Sequence, residues 1–344
     1  MNCPARLLFV FALTAVAAPR AAAQRLFTSD APLEVTITTN LKSLLRQRDS
    51  LALVKHGALA SYVDSSGSTV SVPVSLRARG HFRRQARNCD FPPIYVEPKH
   101  AASKGTLFAH VGRLKLTTNC RPGNAEYEQY ILQEFLLYRA YATLTDTSYR
   151  TRLVHVTYRD SANAVRPLST WAFFIEDADL MAARLGGETF KKTGAHFDDV
   201  DENVLGLVGL FEYFAGNTDW SISGLHNITL LRDSVMHLVP VPYDFDWSGA
   251  VNARYATPDY RLKLYSVTQR LYRGDCRDEA ALRPVVARLL ARRATIDSLF
   301  TRLPQLSPGT VKEMRRYFDD FWELAARPAS LARDVANGCQ KYGN

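Results

Sequence analysis

Apolar positions recur along this chain with two different periods, and the change from one to the other divides it. Alternation at Leu33-Glu-Val-Thr-Ile-Thr38 predicts a strand, and Leu41–Arg48 a short helix. Strand-like runs follow at Ala60–Val63, Thr69–Leu76 and Ile94–Val96, separated by Gly and Pro turns, and another at Arg113–Thr117. Glu126–Thr145 places Tyr130, Ile131, Phe135, Leu136 and Tyr138 at helical spacing, which predicts a long amphipathic helix. Two more strands, Leu153–Thr157 and Ser169–Ile175, close this part. Beyond Glu176-Asp177 the pattern turns helical. Ala178–Arg184 reads as a short helix. Glu202–Ala215 is apolar nearly all round, as in a buried helix, and begins at an acidic cluster, Asp198 to Glu202, that suits a helix N-terminus. A strand-like run, Val235 to Pro242, and helices at Glu279–Leu303, Val311–Ala326 and Ser330–Ala336 complete the chain. The order implies an α+β protein with a sheet-rich part at 24–177 and a helical part at 178–344.

Composition places the chain in a compartment. Arg6, the apolar stretch Leu7–Ala18 and the small residues Ala21-Ala22-Ala23 read as a secretory signal over 1–23, too short for a span of about 20 residues. A secreted or periplasmic protein without stable membrane insertion is expected. Four cysteines follow that segment, none in close C-x-x-C spacing, and the expected pairs are Cys89 with Cys120 and Cys276 with Cys339, each within one half of the chain. The formal net charge is +9, and the positive charge is spread along the chain with one concentration at Arg77-Ala-Arg79-Gly-His81-Phe-Arg83-Arg84-Gln-Ala-Arg87. Such a run suits a solvated face, or attraction of polyphosphate, acidic lipid or nucleic acid. No helix-turn-helix, zinc finger or RNA-reading strand motif accompanies it, so nucleic acid is not an expected partner.

The chemistry gathers late in the chain. Gly216-Asn217-Thr218-Asp219-Trp220 is followed by His226-Asn227 and by Pro242-Tyr243-Asp244-Phe245-Asp246-Trp247. Asp219 precedes Asn227 by 8 positions and Asp244 by 25. A base, an amide, a strand-turn-strand and a carboxylate, in that order, match what phosphoryl transfer requires: an acceptor held by an Asp, and hard cations held by oxygen ligands. Asp244 and Asp246 follow an apolar strand among aromatic residues, where buried carboxylates are costly without a cation or donors. The same segments also suit ordinary turns, because Asn, Asp and Gly favour them. Glycoside hydrolysis by Asp219 and Asp244 is a further reading, although it leaves Asn217 and Asn227 without a role. There is no G-x-S-x-G elbow, H-E-x-x-H or Walker loop.

With Arg77-Ala-Arg79-Gly80 early, Ile175-Glu176 at a strand end and Tyr243-Asp-Phe-Asp246 late, the chain resembles the spore-coat protein H (CotH) family of secreted atypical kinases over about residues 70–250. The resemblance implies a two-lobed protein-kinase-like fold, with an N-terminal lobe of mainly antiparallel sheet plus one long helix and a mainly helical C-terminal lobe. It implies ATP with Mg²⁺ or Mn²⁺ as cofactors, and transfer of phosphate, or another part of the nucleotide, to a protein or glycan hydroxyl. Asp219 would be the catalytic base, with Asn227, Asp244 and Asp246 at the metal. Lys115 would contact phosphates, Glu134 would partner it, and Glu176 would lie in the linker near the base. No G-x-G-x-x-G loop precedes the first strands, and Cys89-Asp-Phe-Pro-Pro93 stands where the family is Lys-rich, which leaves Arg79 or Arg83 to substitute. A kinase-like module that binds without catalysis is the alternative.

Overall fold

The computed structural model describes residues 24–49 and 54–344. The signal segment expected over 1–23 lies outside the described residues. In chain order the elements are β1 (Leu33–Thr39), α1 (Leu41–Gln47), β2 (His56–Val63), β3 (Thr69–Ala78), β4 (Ile94–Pro98), α2 (His100–Ser103), β5 (Leu114–Thr117), α3 (Ala125–Leu144), β6 (Thr151–Asp160), β7 (Leu168–Ile175), α4 (Ala178–Arg184), β8 (Glu188–Phe190), α5 (Glu202–Ala215), β9 (Ile228–Arg232), β10 (Leu238–Pro242), α6 (Glu279–Arg302), α7 (Pro308–Ala325) and α8 (Pro328–Gly338).

The first seven strands close into a barrel in the order β1-β2-β3-β4-β5-β7-β6. This corrects the two-lobed kinase-like expectation, whose sheet is open. Closure comes from β1, which pairs antiparallel with β2 and parallel with β6, so Val35 sits beside Val156 and Ile37 beside Tyr158. All other neighbours are antiparallel. Alternation at period two sends Val72, Val74, Leu76, Ile94, Val96, Leu114 and Leu116 inward, where they fill the interior with Val154, Val156 and Phe174. The α+β class holds.

A second core lies outside the barrel. It joins α3, α5, α6, α7 and α8 to a three-stranded antiparallel sheet of β10, β9 and β8. Strand β7 serves both cores: Phe174 points into the barrel, while its neighbour Phe173 meets Phe135 and Tyr138 of α3 at centroid distances of 5.8 and 5.5 Å. Helix α3 starts at Asn124, whose side chain accepts from the N–H groups of Glu126 and Tyr127. It is buried on most of its surface, including Gln133 and Glu134, and is therefore less amphipathic than its sequence reads. The expected strand over Val235 to Pro242 begins later, at Leu238. Val235 and Met236 are exposed in the hairpin turn, with Met236 at a φ of 72°.

Two disulfides join Cys89 to Cys120 and Cys276 to Cys339, as the sequence predicts. They accord with an oxidising compartment. No described helix is long and apolar enough to cross a membrane.

Candidate functional site

The site forms where the β9–β10 hairpin meets α3 and α5. Helix α5 ends in Gly216 at a φ of 68°, a left-handed cap where a Cβ would also collide with Tyr317. The turn is then held by side chains: Asn217 Oδ1 accepts from the Asp219 N–H at 3.0 Å. The hairpin register places Ile228 opposite Pro242, and the Tyr243 N–H donates to the Asn227 carbonyl at 2.9 Å. Residues distant in sequence thus converge through one antiparallel pairing.

Asn227 Nδ2 donates to the Asp219 carbonyl at 2.7 Å and to Asp219 Oδ2 at 3.1 Å, and His226 Nε2 lies 2.9 Å from Asp219 Oδ1. His226 has its pKa raised, first by that hydrogen bond and against the effect of burial. His226 has no role among the expectations from sequence. Its position next to Asn227 was the available signal.

Asp244 adopts a φ of 65° and Asn227 one of 52°, conformations that Asp and Asn tolerate better than most residues. The Asp244 N–H donates to Tyr138 Oη of α3 at 2.8 Å. Phe245 is fully buried against Tyr138 and Phe211, so Asp244 and Asp246 flank an aromatic anchor. Glu134, also on α3, joins them: one carboxylate oxygen from each of Glu134, Asp244 and Asp246 lies within 4.8 Å of the others. Glu134 is fully buried, and neither of its oxygens has a hydrogen-bond partner. Burial raises the pKa of Glu134 and of Asp246; Arg83 opposes this, and the neighbouring carboxylates add to it.

Arg83 occupies the middle of the group. Its Nε lies 3.3 Å from Asp246 Oδ2, and its Nη2 3.7 Å from Asp244 Oδ1 and 3.8 Å from Glu134 Oε2. These distances exceed the roughly 2.7–2.9 Å of charge-assisted hydrogen bonds, so the guanidinium balances charge without tight geometry. Tyr255 Oη donates to Asp246 Oδ2 at 3.0 Å. Nothing in the local sequence of Arg83 or Tyr255 announces these contacts, which the fold alone creates.

The remaining expected residues form no ion pair or hydrogen bond with the three carboxylates, although Lys115 lies within electrostatic reach of Asp244, and Arg79 of Glu134. Lys115 forms no ion pair with Glu134; its Nζ lies 3.9 Å from the Tyr243 ring centre and 5.5 Å from that of Tyr149. Arg79 Nη2 donates to Thr117 Oγ1 at 3.0 Å. Glu176 is buried and engaged by Arg184, whose Nε and Nη2 donate to its two oxygens at 3.1 and 2.9 Å, while the Arg150 N–H donates at 3.2 Å. These bonds tie the end of β7 to α4 and occupy the Glu176 carboxylate within the protein. A cleft of about 970 Å³ opens beside Asp219, lined by His226, Trp247, Tyr260, Arg261 and Arg273 among others.

Burial lowers the pKa of Lys115 to about 8, and Arg79 adds to the effect. The neutral amine is the nucleophile, so competitive acylation followed by mass spectrometry should show Lys115 half-reactive near pH 8, against about 10.4 for an unperturbed lysine. An ordinary midpoint at Lys115 would show that neither burial nor the neighbouring Arg79 exerts such pressure.

Comparison with family models and with curated proteins gives no match for this chain.

Proposed function

We propose that this protein is an extracytoplasmic phosphotransferase that uses a divalent cation and ATP to modify a protein or glycan hydroxyl, as members of the spore-coat protein H family would. The reading rests on the site and requires no kinase architecture. Its main support is Glu134: a fully buried side chain whose oxygens accept no hydrogen bond and meet Arg83 only loosely, at 3.8 Å, and which faces two aspartates across 4.8 Å or less. Oxygen atoms around one Mg²⁺ or Mn²⁺ stand up to about twice the metal–ligand distance of roughly 2.0–2.2 Å apart, so the three carboxylates would hold an ion after a slight contraction once the Arg83 guanidinium swings out from between them. When bound, the cation would neutralise charge on the transferring phosphates. Asp219, fixed by His226 and Asn227, would accept the proton of the acceptor hydroxyl in the adjoining cleft. The hydroxyl oxygen bonds to phosphorus as the bond to the leaving phosphate oxygen breaks, and the leaving diphosphate keeps the electron pair. Arg79 and Lys115 supply positive charge for the chain of phosphates.

A second reading, an extracytoplasmic module that binds without catalysis, draws on Arg83. A guanidinium among three carboxylates replaces a metal electrostatically, and a cation can enter only as Arg83 gives way.

Glu134→Gln separates the two. The amide keeps the shape of the Glu134 side chain and removes a charge that burial already disfavours, so the metal-free protein should melt close to the wild type. Stabilisation of the wild type by Mn²⁺, read as a rise in thermal midpoint by mass action, should vanish in the variant. An equal Mn²⁺ shift in both proteins would remove the cation site, and no shift in either would favour the arginine-filled module.

A further inference from the structure

The basic run of β3 divides in the fold. Arg83 turns in toward the carboxylates, while Arg77 and Arg79 stay on the outer face of the barrel, since the inward positions beside them are Leu76 and Ala78. The register sets Arg77 opposite Tyr95 of β4, and Tyr95 opposite Lys115 of β5. Arg113 directly precedes β5, and the Arg79 N–H donates to the Pro93 carbonyl one pleat along. Four cations from two strand pairs therefore share one face around a single tyrosine.

None of the ion pairs among the described residues involves Arg77, Arg79, Arg113 or Lys115. The Nε atoms of Arg77 and Arg79 are buried and lack any hydrogen-bond partner. The carboxylates within reach of Lys115 are Asp177, which accepts from the Arg113 N–H at 3.1 Å, and Asp244, so four cations stand against two anions there. The surplus of like charge repels, and orphaned buried donors carry a desolvation cost that an added anion would remove. The guanidinium carbons of Arg77 and Arg113 lie 5.1 and 4.7 Å from the Tyr95 ring centre. That ring is already engaged by two cations, so it orients them and is not offered to a nucleobase. From β3 to β5 the row covers about 10 Å, at about 4.8 Å per strand, more than one phosphate fills.

We infer that this face, from Arg79 and Lys115 to Arg77 and Arg113, binds a linear oligophosphate of three or more phosphates. Two sources carry that chemistry, inorganic polyphosphate and the tail of a nucleoside triphosphate. As a donor site the face rests on the phosphotransfer reading above; as a binding site it stands without it.

The test is isothermal titration of the full chain with tripolyphosphate, ATP and orthophosphate, in EDTA so that the acidic group plays no part. Tripolyphosphate should bind, orthophosphate should bind at least tenfold more weakly, and affinity should fall with added salt. Arg77→Gln with Arg113→Gln should weaken tripolyphosphate by about tenfold or more, two charge-assisted contacts being lost, with an unchanged thermal midpoint. Either order of ATP and tripolyphosphate supports the face: equal affinities point to the chain alone, and tighter ATP to a nucleotide. Wild-type affinity in the double variant, or orthophosphate binding as tightly as tripolyphosphate, overturns the inference. Neither result touches the Mn²⁺ test at Glu134, so the two readings fail separately.

Discussion

Asp219→Asn should lower label transfer from ATP by about 10²–10⁴-fold, the usual contribution of a positioned acid–base group. The substitution is nearly isosteric, and a carboxamide oxygen can still accept from Asn227 or His226, so circular dichroism and the Mn²⁺ shift should match the wild type. Asp244→Asn should differ: it removes a carboxylate from the group with Glu134 and Asp246, and should weaken the Mn²⁺ shift and transfer together. The experiment uses γ- and α-labelled ATP in parallel, with protein and glycan acceptors, and both variants beside the wild type. Undiminished transfer in Asp219→Asn would show that the base is misassigned. No transfer by the wild type from either label, with Mn²⁺ binding intact, would favour the binding module.

Replacing Cys276 and Cys339 by Ser should cost about 4 kcal/mol of stability in the chain-entropy account of cross-links. The bridge spans 63 residues and fastens the end of α8 to the segment just before α6. The bridge from Cys89 to Cys120 spans 31. A doubling of loop length is worth only about 0.6 kcal/mol, so its removal should cost slightly less by entropy alone. Its further effect is local. Cys89 and Cys120 are buried, the Asp90 and Phe91 N–H groups donate to the Cys120 carbonyl, and Arg48 donates to the Cys89 and Asp90 carbonyls. Together these fasten one end of the loop that carries Arg83, and Cys89→Ser with Cys120→Ser should alter Mn²⁺ binding as well as stability. Urea denaturation gives the free energies. An unchanged midpoint for the Cys276, Cys339 double variant would show that the cross-link does not limit the unfolded chain.

Much of the local structure was legible because each side chain reports its own burial. Period-two alternation marked β1, a strand-like run between turns marked β3, the unbroken apolar run marked α5, and the even division of four cysteines between the two halves matched both bridges. The order Asp219, Asn227, Asp244 was visible as well, since a hairpin needs only a turn and two short strands to bring such residues together.

Three features were not legible, and each depends on a contact between distant segments. The parallel pairing of β1 with β6, which closes the barrel, joins Leu33 to Val154; alternation shows which face of a strand is buried but not which strand lies beside it. Glu134 read as a partner for Lys115 because a helix carboxylate after a strand lysine has that use in kinases. The packing of α3 across β7 and Phe245 turned it instead toward Asp244, Asp246 and Arg83. The basic run read as one continuous patch, yet the end of β3 sends Arg77 and Arg79 to the outer face and leaves Arg83 to turn inward. The sequence by itself determined most of the elements, their order and the chemical groups present, though it did not mark the short α2 and β8. Tertiary structure alone decided which charges meet, because the energy of a buried charge depends on neighbours that the chain brings from elsewhere.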